Sequence, residues 1–91
     1  MSVIEITSPG SDIADGVPLH VMGPADLSEG AEFLIRFTGG RRRSGKVIRL
    51  EDAGASAVIE VEGSRRRLHR RDAVNVGSAR FYPWAVDGRE I

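Results

Sequence analysis

The sequence predicts an all-β protein: a small five- to six-stranded antiparallel barrel with an N-terminal extension. Three observations support this fold class. The chain of 91 residues is long enough for one compact domain and too short for two independent cores. Apolar residues recur with a period of two wherever a clear pattern exists, which indicates strands. Eleven glycines and four prolines interrupt these runs at the spacing typical of small barrels and sandwiches.

The first 28 residues are predicted to form the extension, and residues 29–91 the barrel domain. Residues 3–6 and 17–22 are apolar and β-branched enough to form short strands. Pro18 lacks a backbone donor, which places the second of these strands at a sheet edge. The polar loop between them carries Asp12 and Asp15, which are expected to be solvated.

The strands of the barrel domain follow in order. Residues 32–37 and 57–61 alternate apolar and other side chains, and residues 47–50 are short and β-branched. Phe81 and Trp84 fit core positions that close the last strand. No stretch has the 3,4 spacing of a long amphipathic helix, and a single helical turn is expected only near residues 70–74.

Turn residues predict how these strands connect. Gly63-Ser64 fits the centre of a two-residue type II′ hairpin, in a register that pairs Glu62 with Arg65, Glu60 with Arg67 and Ile59 with Leu68. A second turn is predicted at residues 52–55, with Gly54 in the left-handed region. Residues 38–45 are expected to form a longer polar loop.

The charges are segregated although the chain is neutral overall. Residues 1–34 contain six acidic residues and no lysine or arginine, whereas residues 35–91 contain all thirteen basic residues and seven acidic ones. This asymmetry predicts either a surface that binds polyanions or an acidic arm that lies over a basic one.

The basic clusters are the strongest functional signal. Residues 36–71 contain eleven basic and four acidic residues, and arginine suits bidentate phosphate or carboxylate contacts. Exposed aromatic residues near the C-terminus would add base stacking. The predicted partner-contact residues are Arg41, Arg42, Arg43, Lys46, Arg65, Arg66, Arg67, Arg70, Arg71, Tyr82 and Trp84.

From Glu29 to Val76 the chain resembles the Src-homology-3-like small barrels, a group that includes KOW, Tudor and ribosomal-protein barrels. The resemblance rests on Gly30-Ala31-Glu32-Phe33, on Gly39-Gly40, on Gly45-Lys46-Val47 and on the Gly63-Ser64 hairpin. It implies a fold and no particular function, because small barrels serve many functions.

The segment Ser78-Ala79-Arg80-Phe81-Tyr82-Pro83 is similar to the pore-lining strand of the small-barrel dihydrofolate reductases carried on plasmids. Ser78, Tyr82 and Pro83 match that family. Arg80 stands where the family has the glutamine that contacts folate and nicotinamide. The resemblance therefore does not imply reductase activity, and a reductase-like enzyme is only a second alternative function.

Other catalytic and cofactor sites find no support in the sequence, so no catalytic residue, metal ligand or cofactor is predicted. Residues 40–46 match the first seven positions of a P-loop, but Val47 replaces the Ser or Thr that binds magnesium. His20 and His69 are far apart in the chain and belong to no ligand-spaced cluster. The absence of cysteine and of an apolar membrane span leads us to expect a cytoplasmic protein without membrane contact.

Two functional hypotheses remain open. The first is a non-enzymatic interaction module that associates with a protein partner or with itself as a homo-oligomer, using the arginine-rich loops as contact surface. The second is a barrel that binds nucleic acid electrostatically with low specificity.

Overall fold

The computed structural model describes residues 3–23 and 25–91 and is built from strands. In the described residues, no helix is long and apolar enough to cross a membrane. A 3₁₀ turn at Asp52–Gly54 joins the fourth and fifth strands. The strands are Ile4–Thr7 (β1), Pro18–Met22 (β2), Glu32–Arg36 (β3), Arg42–Glu51 (β4), Ser56–Val61 (β5), Ser64–Arg70 (β6), Val74–Val76 (β7) and Ala79–Glu90 (β8).

The sheet closes on itself to form a barrel. Seven strands follow one another in the order β2-β1-β3-β4-β5-β6-β8, and the antiparallel pairing of β2 with β8 completes the circle. The prediction of five or six strands is therefore wrong, because β1 and β2 lie inside the sheet instead of forming an extension. The antiparallel arrangement is confirmed except between β1 and β3, which run parallel. Of the strands in the described residues, β7 alone lies outside the circle, paired with β8.

The barrel interior holds one apolar core. Alternate residues of each strand point inward, and burying each large side chain contributes about 1.5–3 kcal/mol. Ile6, Leu19 and Val21 come from the first 28 residues, so the core depends on both parts of the chain. The core residues are Ile6, Leu19, Val21, Leu27, Phe33, Ile35, Phe37, Val47, Ala57, Ile59, Val61, Leu68, Trp84 and Val86.

The predicted β5–β6 hairpin is confirmed, but the type II′ turn centred on Gly63-Ser64 is wrong and the register differs by two residues. Glu62 and Gly63 have φ angles of +52° and +83°, which places both in the central positions of a type I′ turn. Val61 therefore pairs with Ser64, and Leu68 pairs with Ala57 instead of Ile59. A shift of two keeps every side chain on its predicted face.

The other predicted connections have mixed outcomes. The turn at residues 52–55 is confirmed, with Gly54 at φ +92°. The expected loop at residues 38–45 is shorter, because β4 already begins at Arg42. The helical turn near residues 70–74 is wrong, because β6 extends to Arg70 and β7 begins at Val74.

Substitution of Gly45 by alanine tests the packing of β3 on β4. A Cβ at this position would overlap the carbonyl oxygen of Glu60 and come within 2.6 Å of Cζ of Phe33. We expect the free energy of unfolding, measured by urea titration, to fall by about 1–3 kcal/mol. The matched control is Ser44→Ala on the exposed face of the same strand, with a change below about 0.5 kcal/mol. Equal stability of the two variants would contradict this packing.

Candidate interaction surface

The barrel brings the two arginine triplets to the same end. The β3–β4 turn, which carries Arg41, and the β5–β6 turn at Glu62-Gly63 both lie at what we call the first end. The opposite, second end contains the loop after β2, the Asp52–Gly54 turn and the β7–β8 hairpin. Six arginines thus lie close together because both triplets are next to turns of the first end. How much of their positive charge is free to bind a partner depends on the acidic side chains around them.

At the first end, Asp12 binds two of these arginines. Its Oδ1 and Oδ2 accept hydrogen bonds from Nε and Nη2 of Arg43 at 2.7 and 3.0 Å, and Arg41 lies 3.4 Å away. Glu62 pairs with the same Arg43. The Arg43 hydrogen bond, the Ile13 N–H and the Arg41 charge lower the pKa of Asp12. Asp12 is therefore a paired carboxylate, and the expectation that it is solvated is wrong.

The second triplet points in different directions along β6. Arg65 pairs with Glu60 at 3.8 Å, the strand neighbour that the corrected register gives it. Arg67 pairs with Glu51 at 2.8 Å, and hydrogen bonds from Arg67 and then Arg49 lower the pKa of Glu51. Arg66, facing the other way, donates from Nη1 to the Gly88 carbonyl at 3.1 Å. The triplet does not form one continuous basic face.

At the second end, Asp26 binds side chains of the basic part of the chain, as Asp12 does at the first end. It accepts hydrogen bonds from Nε of Arg70 at 2.7 Å and from Nε1 of Trp84 at 2.8 Å. Trp84 is only 1% exposed, so the predicted contact role for its ring is wrong and its core role is confirmed. Tyr82 is half-buried, and the guanidinium carbons of Arg70 and Arg80 lie 6.0 and 5.4 Å from its ring centroid.

A few basic side chains have no carboxylate within 4 Å in the part of the chain that the structure describes. The others are paired by acidic residues, including Glu5, Asp12 and Asp26 from the acidic first third. Acidic residues of the first third therefore pair with some of the basic residues, but they do so from the strand β1 and the loops on either side of β2 and not from a separate arm. The unpaired residues are Arg42, Lys46, Arg66, Arg71 and Arg80.

The β7–β8 hairpin is the most exposed part of the sheet. Every residue from 74 to 80 is exposed, including Val74 at 39% and Val76 at 60%. Within residues 3–23 and 25–91, β7 pairs on one side only, with β8. It contains no proline and no charged residue, the features that usually protect a sheet edge. Sequence reasoning missed this strand, because three residues are too few to show a period.

Two groups of residues resemble parts of catalytic sites in sequence or in space: residues 40–46, and the series Ser56, His69 and Asp87. Residues 40–46, the partial P-loop match, end inside strand β4 and open no helix. Ser56, His69 and Asp87 line up, with Ser56 Oγ 3.2 Å from Nδ1 of His69 and Nε2 of His69 3.7 Å from Asp87. This series was not predicted, since its members are distant in sequence. The Ser56 hydroxyl joins β5 to β6 through its contact with His69. Ser56 is only 3% exposed, so this hydroxyl is inaccessible to a substrate carbonyl.

No family model matches this sequence, and neither a curated protein nor a solved structure is significantly similar to it.

The variant Asp12→Asn tests the ion pairs of the first end. Because the pKa of Asp12 is lowered, its stabilising effect is complete above the unfolded value of 3.8 and is lost as the pH falls through the lower folded value. We expect the variant to lose about 1 kcal/mol of unfolding free energy near neutral pH, after allowance for solvent screening. The difference should shrink progressively below pH 3.8.

The control for this measurement is Asp72→Asn, which removes an exposed carboxylate that has no ion pair in the described residues. We expect it to change the stability by less than about 0.5 kcal/mol at either pH. A loss for Asp12→Asn that stays constant from neutral to acidic pH would show that charge pairing is not its cause.

Proposed function

We propose that this chain is a non-enzymatic interaction module that associates with protein, in the first place with a second copy of itself, through the β7–β8 hairpin. The observation that carries the proposal is the open edge of β7 with its two exposed valines. An unprotected edge presents unpaired N–H and C=O groups, which readily pair with a strand of another chain. Among the described residues, each of the seven barrel strands has a neighbour on both sides over at least part of its length, whereas β7 has one on one side only.

A second copy fits this edge because β7 is symmetric in sequence. An antiparallel pairing of two Val-Asn-Val strands centred on Asn75 sets the valines of one copy opposite the valines of the other. Such an isologous contact closes as a dimer. It buries Val74 and Val76 without bringing like charges together on β7.

The proposed contact surface differs from the arginine-rich loops that the sequence favours. Seven of the basic residues in that region have carboxylate partners within the chain. Their charge is thereby largely neutralised. A partner could bind these arginines only if the ion pairs described above were broken. The hairpin, by contrast, has apolar surface and backbone groups to offer without breaking any internal contact.

We also propose that the chain is a member of the Src-homology-3-like small barrels. Its support is that five barrel strands, β3 to β6 and β8, come from the segment after residue 28 and four of them follow as a simple meander. On this proposal β1 and β2 are additions that widen the barrel to seven strands.

A charged side chain on β7 tests the proposed association. We expect the wild type to sediment as a dimer at high micromolar concentration and to remain so in high salt, because backbone pairing and valine burial are little screened. Val76→Lys should leave a monomer. The control Val3→Lys carries the same change at a site that is 50% exposed and outside the hairpin. A wild-type monomer at all concentrations and salt levels would refute self-association.

The tyrosine flanked by two guanidiniums favours a second candidate, weak binding of single-stranded nucleic acid at the second end. Arg71 and Arg80 would contact phosphates, and Tyr82 would stack a base. Fluorescence anisotropy of a labelled oligothymidine should then show micromolar or weaker affinity, with a slope of about −1.4 against log salt for two phosphate contacts. The double variant Arg71→Gln, Arg80→Gln should abolish binding, whereas Arg41→Gln should not. No anisotropy change at low salt eliminates this candidate.

A further inference from the structure

A cleft of about 210 Å³ opens at the first end of the barrel, between the β1–β2 loop and the β5–β6 hairpin. Its floor is apolar and consists of Ile13, Ile59 and Val61. The loop that forms its outer wall is fixed, since Gly16 N–H donates to Val86 at 3.0 Å and Asp15 accepts from Gly88 N–H at 2.8 Å. These bonds attach the loop to β8, and the cleft lies at the opposite end of the barrel from the β7–β8 hairpin.

The two carboxylates and two guanidiniums that line the cleft are unevenly paired. Arg43 already has two carboxylates, those of Asp12 and Glu62. Arg66 has no carboxylate within 4 Å among the described residues, and its one hydrogen bond to the protein goes to the Gly88 carbonyl at 3.1 Å. Glu90, its neighbour across the sheet, is held by the Ser64 hydroxyl at 2.6 Å.

A guanidinium carries five N–H donors in a planar fork. One bond to a carbonyl leaves Arg66 with donors for an anion that has two coplanar oxygens, the geometry of a carboxylate. The acidic side chains of Asp12, Glu62 and Glu90 lie nearby, and they repel an anion with two negative charges more strongly than an anion with one. The site therefore suits a monoanion better than a phosphate dianion.

We propose that this cleft binds a monocarboxylate with a short branched aliphatic chain. The carboxylate lies on Arg66, and the aliphatic chain packs on Ile13, Ile59 and Val61. The volume is below the usual 300–1,000 Å³ of drug-sized sites, which limits the ligand to a few heavy atoms. A free small acid and the C-terminal aliphatic residue of a peptide share this chemistry.

The test is a titration of ¹⁵N-labelled protein with isovalerate, followed by the amide resonance of Ile13 and the Nε resonance of Arg66. We expect saturable shifts at both positions. Isovaleramide has the same shape without the charge, and it should bind at least about tenfold more weakly because a charge-assisted hydrogen bond is lost. Acetate, which lacks the branched chain, should also bind more weakly. Equal affinity for isovalerate and isovaleramide would overturn the proposal.

Arg66→Gln should remove isovalerate binding, and Arg65→Gln is the matched control. Arg65 is the preceding residue, faces the other side of the sheet and pairs with Glu60. Loss of binding in both variants, or in neither, would contradict the role of Arg66. If Arg66→Gln does not fold, the comparison of acid and amide on the wild type still decides the question.

A tripeptide ending in valine and its C-terminal amide distinguish the two sources of the ligand. Binding of the free-acid peptide with shifts like those of isovalerate identifies a site for chain ends. Binding of isovalerate alone identifies a site for a small free acid. Absence of any saturable shift with both probes would refute the site without affecting the association through β7, because the cleft and the hairpin lie at opposite ends.

Discussion

The pairing of β2 with β8 is the contact on which the rest of the structure depends. It joins Pro18–Met22 to the last strand and closes the barrel. Through this closure Leu19 and Val21 reach the core beside Trp84, and the loops on either side of β2 lie across the two ends. Closure gives each of the seven barrel strands two neighbours, whereas β7 pairs only with β8 in the described residues.

The two loops that flank β2 close the barrel ends in the same way. In each, an aspartate accepts the N–H of the following aliphatic residue at 2.8 Å and an arginine Nε at 2.7 Å, as Asp12-Ile13 does with Arg43 and Asp26-Leu27 with Arg70. The acidic first third of the chain thus supplies counter-charges for four arginines of the basic remainder, Arg36, Arg41, Arg43 and Arg70. Part of the charge segregation seen in the sequence thus corresponds to ion pairs within the fold.

Local rules explain what the sequence could predict. Alternation and glycine spacing indicate the all-β class, and the β5–β6 hairpin lies where Gly63 requires a turn. The register was missed because Glu62 takes a positive φ, which local preference disfavours. The parallel β1–β3 pair, the Asp26–Trp84 bond and the Arg66 cleft join residues distant in sequence. No periodicity reveals such contacts, although the excess of acids in the first third did indicate where the counter-charges lie.

The β2–β8 closure also sets the order in which the chain can fold. Strands β3 to β6 are joined by short turns and form local antiparallel contacts. Strand β2 can pair locally with β1, but its other edge must wait for β8 near the opposite end of the sequence. Contacts of such high sequence separation slow folding, because the chain entropy of closing the loop is lost before the contact is gained. During synthesis, β2 leaves the ribosome well before β8, so the edge of β2 that pairs with β8 stays uncovered until β8 emerges. The interval before closure is therefore when this protein most needs protection from aggregation.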